Sequence, residues 1–190
     1  MTIQELFVRT NEELLRIVQQ ITDDQWQISL PPGLSRTPST LLEAVNYHSY
    51  DDAWVPDVLA GKTKEEVGDV YEALRAAADP RANYVKYNAI ASEAVRNFLD
   101  LDKVVYLSYG DFPARDYLQH TALFRGLRSY DIAGMIGVDS KMAEDFAQAM
   151  YDEYVPLADG YRQYGILPAA IPVASDADIQ TKLLGLVGRK

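Results

Sequence analysis

Apolar residues recur three or four apart along most of this chain, and that spacing restricts it to helices that each bury one face. Ile3, Leu6, Phe7, Leu14, Val18 and Ile21 keep the period and predict a first helix over 3–25. The proline- and glycine-marked stretch LPPGLSRTPST, 30–40, reads as a loop whose final TPST supplies an N-cap. A second helix is predicted from Leu41 to about Leu59 and carries Pro56 in its interior. A short helical pattern follows at 64–77, and a third helix at 79–101. KVVYLSYGDFP, 103–113, alternates and is β-branched, so it reads as a short extended stretch. A fourth helix spans 113–137, with Pro113 in its first turn, and a fifth spans 139–155. The proline-rich ILPAAIPVASDAD then precedes a terminal helix at 176–187. The expected fold is all-α: one domain, 1–190, built on a four-helix bundle with an additional helix, a short extended segment and a C-terminal extension.

Composition narrows the function. A chain of 190 residues, 48% of them hydrophobic, can bury a sizeable core. It has no apolar run of roughly 18 residues, so no membrane span is expected. Its amphipathic, acid-bearing start is unlike a secretory signal. The absence of cysteine removes disulfides, thiolate metal sites and a cysteine nucleophile, and fits a cytoplasmic location. A net charge of −10 repels phosphate backbones and anionic lipid, so neither nucleic acid nor a membrane is an expected partner. Thirteen tyrosines suit a pocket, a core or pairing as a homodimer. There is no nucleophile elbow and no glycine-rich phosphate loop, which disfavours serine hydrolase, kinase and nucleotide-dependent dehydrogenase chemistry.

The candidate site comes from polar residues at core-directed positions. On the second helix one stripe reads Leu41, Val45, His48, Asp52, Val55, Leu59, and the adjoining stripe reads Ala44, Tyr47, Asp51, Trp54, Val58. On the fourth helix the stripe is Tyr117, His120, Phe124, Arg128 (or Leu127), Asp131 and Met135. Each polar residue has an ordinary explanation. A lone histidine is a satisfied core residue, Arg128 and Asp131 are an i, i+3 ion pair, and Asp51 and Asp52 are a solvated corner. Together they make an expensive core and a reasonable pocket, because burying a charge costs several kcal/mol unless it is paired. In that pocket His48, oriented by Asp52 one turn away, is the general acid or base. Arg128, partnered by Asp131, holds a carboxylate or a developing oxyanion, and Tyr47 donates a proton or a hydrogen bond. Trp54, Tyr117, His120, Phe124 and Tyr130 contact the substrate.

Three stretches carry a family resemblance. STLLEAVNYHSYDDAWVPDVLAGK, YGDFPARDYLQHTALFRGLRSYDIAGMIGVD and YRQYGILPAAIPVASDADIQTKLLGLVGRK resemble, in order, segments of the DinB-like bundles related to mycothiol-dependent maleylpyruvate isomerase, in their actinobacterial form. The resemblance implies a divalent-metal site with one ligand on the second helix and two on a later helix. Here the corresponding positions hold Tyr47, Phe124 and Arg128, so it implies a member without the ligand triad and no bound metal. A relocated site on His48, Asp116 and His120 would need a shift of two to three helical turns. The expected activity is therefore a cofactor-free isomerase, lyase or cyclase acting on an apolar metabolite. The alternatives are a non-catalytic binding protein for a hydrophobic acid, and a thiol transferase or isomerase using zinc or another divalent ion at a relocated site.

Overall fold

A computed structural model of the chain describes residues 1–31, 34 and 39–190. Most of the predicted loop at 30–40 therefore lies outside the described residues. The chain divides into two compact units, Thr2–Asp139 and Ser140–Lys190.

In the first unit, α1 (Ile3–Val18) opens with a capping box. The Thr2 side chain accepts from the Glu5 amide, and the Glu5 carboxylate takes the Thr2 amide in return. The predicted first helix ends earlier than 25. After Val18 the chain turns, and a one-turn 3-10 segment, Gln25–Gln27, places Trp26 against the core. α2 (Leu41–Ala60) begins at the TPST signal with a second capping box, Thr40 with Glu43, and runs on through Pro56. The 64–77 pattern resolves into α3 (Lys64–Val67) and a 3-10 segment, Glu72–Ala76. α4 (Pro80–Arg96) is shorter than its predicted 79–101 and has Asp79 as N-cap and Pro80 at its first position.

The extended stretch is an antiparallel hairpin of β1 (Val104–Leu107) and β2 (Gly110–Pro113), in register Val104 to Pro113 and Leu107 to Gly110. α5 (Ala114–Ile136) follows directly. Pro113 is its N-cap rather than a residue of its first turn, because that proline closes the strand. Gly137 ends α5 at φ 73°, a left-handed conformation that favours glycine.

α1 packs on α5 and α4, and α2 packs on α4. Leu14, Ile17, Leu41, Val45, Tyr84 and Ile132 meet in their shared core. The inward stripe read on α2 is buried throughout, from Leu41 to Leu59, with His48 and Asp52 included. The stripe read on α5 is displaced. Its buried face runs through Leu118, Ala122, Arg125, Ser129 and Ile132, while Phe124 is exposed.

In the second unit, α6 (Glu144–Tyr154), α7 (Ala158–Gln163) and α8 (Ile179–Leu186) follow in order, and α6 packs on α8. α6 begins at Glu144, later than the predicted 139. The Ile171 amide donates to the Gly185 carbonyl, and a Cβ on Gly185 would stand 2.7 Å from the Ile171 oxygen, so the close approach depends on that glycine. The described chain is predominantly helical, its one sheet is the hairpin, and no described helix is long and apolar enough to cross a membrane.

Candidate functional site

Successive helical residues turn by about 100°, so the two stripes of α2 serve two different neighbourhoods. His48 and Asp52 point into the core. Tyr47, Asp51, Trp54 and Val58, one position away, form a wall of a cavity of about 480 Å³. α5 supplies the other side with Tyr117, His120, Thr121 and Phe124. The hairpin turn contributes residues 106–109, α3 contributes Lys64, and the 3-10 segment contributes Arg75. Aromatic rings dominate this lining. Tyr50 stands 6.3 Å from Tyr47 and 6.1 Å from Trp54 between ring centres.

Asp51 is the one carboxylate in the lining, and it makes no hydrogen bond or ion pair among the described residues. Burial pushes its carboxyl up to about 7. Neighbouring Asp52 adds to that shift, while Arg125 and Arg75 oppose it. Across the cavity His120 is half-buried, and its Nδ1 lies 3.3 Å from the Tyr109 hydroxyl. Burial lowers the His120 imidazole, against the opposing charge of Asp116, so it is neutral at pH 7.

Beneath the cavity wall Asp52 forms a fully buried ion pair with Arg125. Burial pushes the Asp52 carboxyl up and the Arg125 guanidinium pulls it back. The sequence reading expected Asp52 to orient His48. Asp52 is committed to Arg125 instead, and His48 Nδ1 has no hydrogen-bond partner among the described residues. The His48 ring packs 5.2 Å from Phe124, between ring centres, and edge-on to Tyr84. Burial, then the charges of Arg128 and Arg125, hold its imidazole far below the ordinary histidine range, so it is neutral. The ordinary alternative of a solvated corner at Asp51 and Asp52 gives way to a cavity wall and a buried pair.

The other expected site residues separate into two groups. Tyr47, Trp54, Tyr117, His120 and Phe124 line the cavity together. His48, Asp52, Arg128, Tyr130 and Asp131 are not among its lining residues. Arg128 is buried, donates to the Leu34 carbonyl and lies 5.1 Å from the Phe124 ring centre. Tyr130 and Asp131 are half-buried further along α5. Arg75, Lys64, Tyr50, Tyr106, Tyr109 and the Asp52 partner Arg125 were not singled out from the sequence. Asp51 was legible on the Tyr47–Trp54 stripe. Arg125 was signalled by small neighbours, Ala122, Gly126 and Ser129, which mark a helix face in close contact.

The positions implied as metal ligands do not suit a metal. Phe124 has no lone pair, and the Arg128 cation lies over its ring. Among the described residues no three His, Cys, Asp or Glu side chains converge as a ligand set. Comparison with family models, with curated proteins and with solved structures gave no match to this chain.

Proposed function

We propose that this protein is a cofactor-free acid–base enzyme of the isomerase, lyase or cyclase type, acting on a mostly apolar small molecule in the cavity between α2 and α5. We also keep the DinB-like bundle as the fold reading; its support is the three sequence stretches and the packing of α1, α2, α4 and α5. The observation that carries the activity is Asp51, a carboxyl on an aromatic wall with no hydrogen bond or ion pair among the described residues, pushed to about 7 by burial. A group balanced near neutrality both takes and returns a proton, which is the requirement for general acid–base work. His48 does not fill that role, because it is buried behind Phe124 and packs as core. In this reading Asp51 removes a proton from a ligand carbon or oxygen. The carboxyl so formed returns that proton at another ligand position, and neutral His120, on the facing helix, keeps its own proton and hydrogen-bonds the developing oxyanion. The aromatic walls exclude water, and the proton balance needs no cofactor.

Deuterium exchange tests this. 2-Tetralone is incubated with the protein in D2O, and loss of its α-hydrogen signals is followed by proton NMR. Exchange above the buffer rate is expected, and Asp51→Asn should lower the catalysed rate by about 100-fold or more. Exchange that survives Asp51→Asn would remove Asp51 from the chemistry. Absence of exchange, with 2-tetralone bound in the cavity, would favour the binding-protein reading.

A further inference from the structure

Tyr50, Val58 and Tyr117 of the cavity lining are buried, whereas Lys64, Arg75, Tyr106, Tyr109 and Phe124 are exposed at its mouth. Both cationic side chains of the lining are thus at the mouth, on a chain whose net charge is −10. Arg75 is placed rather than free. Its Nε meets Glu72 at 3.1 Å, and its guanidinium carbon lies 4.0 Å from the Tyr50 ring centre and 5.5 Å from that of Tyr47. A guanidinium stacked on an aromatic wall keeps its orientation at little further entropic cost, which suits it to a planar oxyanion. Lys64 is exposed at the first position of α3. It is a second cation available to the same group.

We propose that the ligand is an apolar organic anion, with its hydrocarbon body among the aromatic rings and its carboxylate, or a comparable oxyanion, at the mouth facing Lys64 and Arg75. This rests on the cavity being the ligand site, as proposed above. It reassigns the anion-holding role that the sequence suggested for Arg128 to two residues on the short segments after α2. Among the lining residues the two cations, Lys64 and Arg75, outnumber the single carboxylate, Asp51. The acidic surface slows the approach of any anion, and the cationic mouth offsets that only for a ligand whose body also fills the cavity.

Three probes with the same ring system test it: 2-naphthoate, 2-naphthylmethanol and 2-naphthylmethylammonium, each titrated by calorimetry into the full chain at low salt. The naphthoate is expected to bind about tenfold or more tightly than either of the others, a difference of about 1.4 kcal/mol. Lys64→Gln with Arg75→Gln, both at exposed positions, should bring naphthoate to within about twofold of the alcohol. Ammonium binding as tight as naphthoate would overturn the proposal, as would a preference that survives the double variant. If the alcohol binds as well as the acid, the cavity reading stands and the anion proposal fails. If none of the three binds, both fail.

Discussion

Asp52 and Arg125 illustrate what a single buried pair does to its surroundings. Neither has appreciable exposure, and each would be a costly isolated charge in the core. Their pairing keeps the α2–α5 contact polar at one point and leaves the adjacent Asp51 with no hydrogen bond or ion pair among the described residues. Removing one member strands the other. Arg125→Met is expected to cost about 3–5 kcal/mol in urea unfolding, because it leaves the Asp52 charge buried alone. Arg125→Met combined with Asp52→Leu should recover most of that loss. A double variant no more stable than the single would show that the pair is not what Arg125 contributes. The same residues show what a sequence conceals. His48 and Asp52 fall on an apolar stripe and are indeed buried. Their partners come from another helix, and helical spacing within α2 cannot name Arg125, which lies 73 positions away.

Elements were legible where local chemistry decides them. Thr40 and Glu43 fix the start of α2 through a capping box, and Asp79 with Pro80 fixes the start of α4. Thr40→Ala should therefore destabilise the fold by about 1 kcal/mol in chemical denaturation, with no loss of helix signal in the folded state. A neutral result would mean that packing alone sets the boundary. Helix ends without such signals were misjudged. α1 stops at Val18 although the apolar period continues to Ile21, because Ile21 and Trp26 reach the same core from a turn. The face of α5 was misread for a related reason. Core residues such as Leu118 and Ala122 alternate with cavity-lining residues such as His120 and Thr121, so apolarity marks both a packed and a lining face. Tyr117 and Phe124, expected from the sequence to contact a substrate, both line the cavity, Tyr117 buried and Phe124 exposed.

At the scale of the whole molecule, an unusual carboxyl must appear in the dependence of stability on pH. The Asp51 carboxyl is raised in the folded chain from an ordinary value of 3.8 to about 7. Between those values the folded state holds a proton that the unfolded state has lost, so this group's contribution to stability falls as pH rises through that window. His48 acts oppositely. Its imidazole is held neutral in the fold, so stability is lost as pH falls below the ordinary histidine value of 6.5. These effects overlap in the wild-type curve with that of the Asp52 carboxyl, raised to about 6, and comparison with a variant isolates the Asp51 contribution. Asp51→Asn leaves His48 and the Asp52–Arg125 pair in place while removing the titrating carboxyl. Urea unfolding of wild type and Asp51→Asn from pH 4 to pH 8 is therefore the most direct test of the central claim, a carboxyl in the α2–α5 cavity poised near neutral pH. The stability of Asp51→Asn relative to wild type should increase steadily between pH 4 and about pH 7 and then level off. A difference that does not change with pH across that range would place Asp51 among ordinary solvated carboxylates and contradict the account.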